Sequence, residues 1–120
     1  MLDYNYEKMT FREMMQLFNE VKYCRLATAD NNQPYAIPMY FKYIMDGRKI
    51  KFILRSRDNG LKMRFMDSNN RVALEFDTQG DGYVESVVVL GRVKIYDDPN
   101  GYYATIEVLP YRITGRRYLI

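Results

Sequence analysis

The segment from Arg55 to Lys62 (RSRDNGLK) has the residue types that bind a phosphate group. Alternating apolar residues before it predict the end of a strand, and a short helix is expected after Gly60. The free N–H groups of a helix start, one hydroxyl group and three cations would then lie within one turn of the chain, where they favour an anion. The alternative is an ordinary solvated basic turn, because links between strands and helices are commonly polar.

A second segment, Tyr35–Tyr40 (YAIPMY), has a proline in the middle of a predicted strand. Because Pro38 has no N–H for a sheet, this strand lies at an edge, contains a bulge or is opened for a ligand. The flanking residues are apolar and aromatic, so a flat, mostly apolar ring with a few polar edge atoms would suit the surface. A barrel edge with a bulge explains the same residues without any ligand.

The composition excludes several kinds of chemistry. There is no histidine, so catalysis by serine–histidine or cysteine–histidine pairs and histidine-ligated metal sites are excluded, and no metal is expected. The one cysteine, Cys24, has no partner for an internal disulfide and is expected to be buried in a strand. Any chemistry would therefore depend on a carboxylate, a tyrosine or an organic cofactor.

The charge and hydropathy pattern predicts a soluble, cytoplasmic protein. The net charge of +3 is compatible with an anionic ligand but is too small to indicate nucleic acid. No apolar stretch approaches the roughly 20 residues that cross a bilayer, and no signal-peptide pattern is found. At 120 residues we expect a single domain over 1–120, with residues 1–9 as a flexible tail or arm.

Two helices are predicted. Thr10 and Glu13 have the spacing of a capping box, which predicts a helix that begins at Thr10. A second helix is expected to end near Asp67, with Asp58 or Asn59 as its N-terminal cap.

Alternation with period two predicts six strands, and these favour a closed or nearly closed antiparallel barrel. Asp46-Gly47 predicts a tight hairpin between strands two and three, and Gly91 is expected to ease a bend at a barrel corner. Residues Thr114–Arg117 are interpreted as a basic end after the last strand. The predicted strands are Tyr23–Ala29, Pro34–Ile44, Lys49–Ser56, Arg71–Thr78, Tyr83–Tyr96 and Tyr102–Ile113.

The order and spacing of several segments resemble the FMN-binding split-barrel superfamily of pyridoxamine 5′-phosphate oxidase, with most similarity to its nitroimidazole-resistance branch. The resemblance covers residues 10–117. It implies a mainly β fold, a six-stranded antiparallel split β-barrel of the Greek-key type, with an N-terminal helix and a short helix between strands three and four. The segments are Leu26–Ala29, Pro34–Pro38, Ser56 with Gly60 and Lys62, Glu85–Val93 and Ile113–Arg116.

The resemblance also implies a homodimer with FMN at the interface between the protomers. By position, Ser56 and Lys62 would hold the phosphate, with Arg55 or Arg57 assisting. The isoalloxazine ring would be lined by Ile37, Pro38 and Met39 and by the backbone of Leu54 and Arg55. The partner chain would close the site through Glu85, Ser86 or Arg116.

The chain departs from the family pattern at two places. Members of the nitroimidazole-resistance branch often have a histidine just before the serine, where this chain has Arg55, so chemistry that needs the histidine is not expected. Asp97–Gly101 is a bare turn where many relatives insert a helix, and we therefore expect a more open pocket on that side.

These features favour an FMN-dependent oxidoreductase that acts on a small molecule, with a nicotinamide nucleotide as electron source and the flavin carrying the hydride. The alternative is a non-catalytic module that binds or senses a flavin, heme or deazaflavin. A third hypothesis, a barrel that binds nucleic acid through Arg55, Arg57, Lys62 and Arg64, is disfavoured by the small net charge.

Overall fold

The computed structural model describes residues 5–120, which form two helices and seven strands. The helices are α1 (Phe11–Glu20) and α2 (Leu61–Ser68). The strands are β1 (Tyr6–Lys8), β2 (Tyr23–Asp30), β3 (Gln33–Asp46), β4 (Lys49–Arg57), β5 (Arg71–Gly80), β6 (Tyr83–Asp97) and β7 (Tyr103–Leu119). No helix in the described part is long and apolar enough to span a membrane.

Six of the strands close into an antiparallel ring, which confirms the predicted fold class. The order is β7-β4-β3-β2-β5-β6, and β6 pairs again with β7 to complete the ring. Strands β2, β3 and β4 follow one another as hairpins, and β5 returns through α2 to lie beside β2, which is the Greek-key arrangement. The hairpin at Asp46-Gly47 is present, with Gly47 at φ +64°.

The core fills the ring with inward-facing residues, which are every second residue along each strand. Phe52 and Phe76 are completely buried, and their ring centres lie 5.2 Å apart. Phe18 of α1 packs edge-on against both, at 5.1 and 4.8 Å, so α1 covers one opening of the barrel. Cys24 is fully buried as predicted, and loss of hydration raises the pKa of its thiol to about 12.

The capping box predicts the start of α1 correctly. The Glu13 N–H donates to the Thr10 hydroxyl at 3.2 Å, and the Thr10 N–H donates to the Glu13 carboxylate at 2.9 Å. The Thr10 backbone hydrogen bond, followed by a hydrogen bond from Arg117, lowers the pKa of Glu13. The end of β7 is thereby joined to the start of α1.

Part of the segment interpreted as a tail or arm is a short strand: Tyr6–Lys8 pair with Arg116–Tyr118 of β7. Residues 1–4 of that segment lie outside the described residues. The prediction of a basic end after Ile113 is wrong, because β7 continues to Leu119 and pairs with β6 up to Tyr83. Alternation is hidden there, because the two buried residues of this stretch, Gly115 and Tyr118, are three positions apart and lie on opposite faces of the strand.

An ion-pair network explains why a basic stretch can continue the strand. Arg117 donates at 2.6 Å to Glu13 of α1 and at 2.6 Å to Glu85 of β6, a carboxylate that is almost fully buried. The hydrogen bonds to these two carboxylates raise the pKa of Arg117. A buried carboxylate is costly without such a partner, so this pair keeps the end of β7 in the sheet.

Candidate functional site

The ring of strands is split on one side, where β3 changes its partner. Gln33–Tyr40 pair with β2, and only Phe41–Asp46 pair with β4. On β4, Leu54 is the last residue paired with β3, and Arg55–Arg57 pair with β7 alone. Two strand edges without a strand partner therefore face each other across an opening in the barrel wall.

The split brings together the two segments that the sequence singled out. Ile37, Pro38 and Met39 lie on the β3 side, and Arg55–Arg57 lie on the β4 side next to Leu54. Pro38 is opposite Arg25 of β2, and its other edge has no strand partner. Of the three explanations for this proline, an edge position is therefore confirmed, because a strand with one unpaired edge tolerates a missing N–H.

Side chains of β3 alternate about this edge. Ile37 and Met39 are half-buried against the core, whereas Pro38 and Tyr40 are exposed. Pro38, Met39, Tyr40 and Tyr23 line a shallow surface depression of about 340 Å³. A flat apolar group could pack here against apolar side chains without disturbing the core.

A second concavity, of about 480 Å³, lies on the outer surface beside the split. Its lining comes from β3, β4 and β7 and includes Tyr40, Ile53, Arg55 and Tyr103. The mixture of aromatic, aliphatic and cationic groups is typical of a surface that contacts a ring with polar edges.

The start of α2 has backbone N–H groups without an acceptor in the described chain, which we call open. Its N-cap is Gly60, at φ +99°, so the prediction that Asp58 or Asn59 caps the helix is wrong. The first helical bond runs from the Arg64 N–H to the Gly60 carbonyl at 3.2 Å. Within the described chain, the N–H groups of residues 61–63 then have no acceptor, and they carry the positive end of the helix dipole.

Not every N–H of the predicted phosphate segment is open. The Asp58 N–H donates to the Tyr102 carbonyl at 3.1 Å, which ties the turn before α2 to the turn before β7. No side chain caps this helix, because its N-cap residue is Gly60, which has no side chain and adopts a φ of +99° that favours glycine.

The three predicted cations differ in what they contact. Arg55 forms an ion pair with Asp98 of the turn after β6, lies 3.4 Å from the Thr105 hydroxyl, and stacks on Tyr103 with its guanidinium carbon 5.3 Å from the ring centre. Arg57 and Lys62 have no carboxylate partner among residues 5–120. Positive charge for an anion is therefore available from Arg57 and Lys62, and Arg55 is already neutralised.

Ser56 lies between these cations in sequence but faces inward. It is buried, and its hydroxyl donates to the Arg57 carbonyl at 2.8 Å. To hold a phosphate oxygen, this hydroxyl must rotate away from that carbonyl, which a serine rotamer change permits.

Three residues proposed to act from a partner chain have contacts within their own chain. Glu85 accepts from Arg117, and the Ser86 hydroxyl donates to Glu75 at 3.2 Å. Arg116 is exposed and stacks on Tyr6, with its guanidinium carbon 4.4 Å from the ring centre. These three residues therefore support their own sheet, whatever they contact beyond it.

Sequence reasoning missed Asp98 and Tyr103 as neighbours of the split. The turn over Asp97–Gly101 was recognised, but its contact with Arg55 depends on the register of β7 with β4. A short acidic turn after a long strand is the one signal in the sequence that could have indicated a partner for a nearby arginine.

Comparison with known protein families gives a match over most of the chain. A family model described as pyridoxamine 5′-phosphate oxidase matches residues 11–118. No curated protein matches the sequence significantly.

Solved structures share the fold over most of the chain. A FAD-binding protein from Mesorhizobium loti has 24% identity and a TM-score of 0.79, over 93% of this chain and 97% of the other. The FAD-binding protein from Mycobacterium smegmatis has 24% identity and a TM-score of 0.72, over 94% and 98%. A 5-nitroimidazole resistance protein homologue from Bacteroides thetaiotaomicron has 17% identity and a TM-score of 0.81, over 95% and 88%.

At these identities the solved structures establish the fold, and the family model establishes the family. The matched region includes both sides of the split and the start of α2. The resemblance seen in the sequence is thus confirmed, and the chain belongs to the pyridoxamine 5′-phosphate oxidase family.

Proposed function

We propose that this protein binds a flavin, specifically FMN, at the split, with the FMN phosphate at the start of α2. The observation that carries the proposal is the uncapped α2 N-terminus beside two unpaired cations, Arg57 and Lys62. Open N–H groups, a helix dipole and two cations form a complementary site for a phosphate dianion. Family membership and two solved relatives named as FAD-binding support a flavin.

The isoalloxazine ring is proposed to lie along the two sides of the split. Ile37, Pro38 and Met39 supply an apolar surface. On the other side, the β4 backbone from Arg55 onward has no β3 partner, and next to Leu54 it supplies hydrogen-bonding groups for the polar edge of the ring. In this arrangement Asp98 and Tyr103 hold the Arg55 side chain away from the phosphate. Arg57 and Lys62, not Arg55, then carry the phosphate charge.

When bound, the flavin supplies hydride transfer, and the chain supplies position and exclusion of water. We propose an oxidoreductase that acts on a small molecule, with a nicotinamide nucleotide as electron source. The exposed Tyr40 and Tyr103 line the concavity where a substrate would contact the ring. The activity is tested by measuring the oxidation of reduced nicotinamide nucleotide with an added acceptor. We expect this oxidation to be lost when the flavin is removed.

A second candidate is a binding module without turnover, for a flavin, heme or deazaflavin. Arg55 favours it, because its guanidinium is engaged by Asp98 and Tyr103 and is therefore not presented to a substrate. Bound cofactor without turnover of reduced nicotinamide would support this second function.

A homodimer with FMN at its interface is part of the proposal. The surface beside the split carries exposed aromatic residues, among them Tyr23, Tyr40 (78% exposed) and Tyr103. Interfaces are enriched in such residues, and a second protomer would bury them together with the open side of the isoalloxazine ring. A monomer mass by light scattering at micromolar concentration, with FMN added, would contradict the dimer.

The first experiment is a visible spectrum of the purified protein, with the released cofactor identified by mass. Flavin bands with released FMN would support the proposal. Released FAD would keep the flavin site but replace the cofactor. A colourless protein that does not bind added FMN would overturn the flavin proposal and leave the heme and deazaflavin alternatives.

A further inference from the structure

Besides the split, the barrel wall has a second gap, at the other end of β4. Here β4 pairs with β7 only from Phe52 onward, so Lys49–Lys51 have a strand partner on β3 alone. On β7, Leu109–Thr114 lie between the part paired with β4 and the part paired with β1. These two edges bound a pocket of about 580 Å³, whose lining is completed by the β3–β4 turn and the first residue of α1.

A β-bulge shapes the wall of this pocket. Leu90 is opposite Arg112 and Gly91 is opposite Pro110, so Tyr111 is an extra residue on β7. A Cβ at position 91 would come within 2.8 Å of the Leu109 carbonyl oxygen, so the close approach of the strands requires glycine. Bulges of this kind re-aim a side chain and are common beside binding sites.

The bulged tyrosine is presented to solvent together with a second aromatic ring. Tyr111 is 56% exposed, and the Arg92 guanidinium lies 5.7 Å from its ring centre. Phe11 is also exposed, although it begins a helix whose other apolar residues pack on the core. Both rings line the same pocket, which also includes the aliphatic side chains of Ile50 and Leu109.

The pocket carries an excess of positive charge. Arg48, Lys49 and Arg112 line it, and none of them has a carboxylate within ion-pair distance in the described chain. Lys51 also lines it but is paired with Glu107 at 3.8 Å. Asp46 is the one carboxylate among the lining residues that the structure describes, so at least two cationic charges remain uncompensated.

We propose that this pocket binds a small organic anion that carries one flat ring. Arg48, Lys49 and Arg112 hold the anionic group, and the ring packs against the apolar wall formed with Tyr111 and Phe11. The site is separate from the flavin split, because Lys49 and Arg57 are the two ends of a nine-residue strand and lie about 25 Å apart. The proposal therefore does not depend on the flavin.

The probe is phenyl phosphate, which combines one ring with one anionic group. In a titration followed by ¹⁵N–¹H correlation spectra of the protein as purified, we expect saturable shifts of amides in residues 46–51 and 109–113. Shifts confined to residues 57–63 would instead report the proposed flavin phosphate site. Inorganic phosphate and phenol, titrated separately, are expected to bind this pocket more weakly than phenyl phosphate.

Two variants and a matched control test the residue assignment. Arg48→Gln and Arg112→Gln are each expected to weaken phenyl phosphate binding by about tenfold, the effect of losing one charge-assisted contact. Arg64→Gln removes the same charge from an exposed site on α2, next to the other end of β4, and is expected to change binding by less than about twofold. Tyr111→Ser is expected to weaken phenyl phosphate but not inorganic phosphate.

Three results would overturn the proposal. One is the absence of shifts in residues 46–51 and 109–113 at millimolar phenyl phosphate, which includes the case in which a second protomer covers the pocket. Another is equal binding of inorganic phosphate and phenyl phosphate. The third is unchanged affinity in both arginine variants while their spectra remain those of the folded protein.

Discussion

Lys62→Ala is expected to weaken FMN binding while leaving riboflavin binding nearly unchanged, because riboflavin lacks the phosphate. A hydrogen bond to a charged group contributes about 1.5–3 kcal/mol when shielded from water, and each 1.4 kcal/mol is a factor of ten in Kd. Lys62 is half-buried and has no carboxylate partner among the described residues, so little of this is screened. We therefore expect the Kd for FMN to rise about ten- to hundredfold.

Arg57 and Arg55 provide graded comparisons. Arg57 is exposed, so water screens its charge, and Arg57→Ala is expected to raise the Kd for FMN by only about three- to tenfold. Arg55 is already neutralised by Asp98. Arg55→Ala is therefore expected to change the Kd for FMN and for riboflavin by a similar factor, because it alters only the surface proposed to contact the isoalloxazine ring. Arg12→Ala, on the exposed face of α1, is the control with the same loss of charge.

The assay is a fluorescence titration of each flavin with protein, at fixed ionic strength because the phosphate contribution is electrostatic. The assignment of Lys62 to the phosphate would be refuted if Lys62→Ala raised the Kd for FMN and riboflavin by the same factor, since the lysine would then act on the isoalloxazine ring or on the fold. It would also be refuted if neither Kd changed in Lys62→Ala and Arg57→Ala, since the phosphate would then bind elsewhere.

Three further predictions concern the fold. Because burial raises the pKa of the Cys24 thiol to about 12, a disulfide reagent at pH 8 is expected to react at least about a hundredfold more slowly with folded than with urea-unfolded protein; equal rates would contradict the burial. Glu85→Gln removes a buried carboxylate from Arg117 and is expected to lower the free energy of unfolding by about 1.5–3 kcal/mol in urea titrations. Glu7→Gln, at an exposed carboxylate 3.8 Å from the same arginine, is its control and should cost less than about 0.5 kcal/mol. The Glu13 pKa is lowered in the folded state, so its contribution to stability is present above the ordinary carboxyl pKa and is lost as pH falls through the lowered value; Glu13→Gln should therefore flatten the acid side of a melting-temperature profile, and an unchanged profile would contradict this.

Local chemistry in the sequence determined where most elements begin and end. The Thr10–Glu13 pair starts α1 because each side chain satisfies the other residue's backbone N–H, an interaction that needs only three residues of spacing. Asp46-Gly47 defines the β3–β4 hairpin because glycine reaches φ +64° without strain. Alternation with period two also predicted the strand over Pro34–Ile44, which is part of β3, and its half-buried face starts at Tyr35.

The split itself was decided by tertiary structure. Pro38 indicated an irregular strand, but three explanations fitted it equally, since the sequence does not say where β3 exchanges β2 for β4. The same limit applies to the cations of the phosphate segment. Their types were visible, but which of them is neutralised depends on Asp98, more than forty residues away, and so on the register between β4 and β7.

The end of β7 and the pocket beside Tyr111 also depend on tertiary structure, for the same physical reason. Thr114–Arg117 resemble a basic tail in isolation, and they stay in the sheet because Glu85 of β6 and Glu13 of α1 meet Arg117 there. Tyr111 becomes a pocket wall only through a bulge opposite Gly91. A sequence thus determines properties that nearest neighbours along the chain can satisfy, whereas partners of charges and strand edges depend on residues that only the folded sheet brings together.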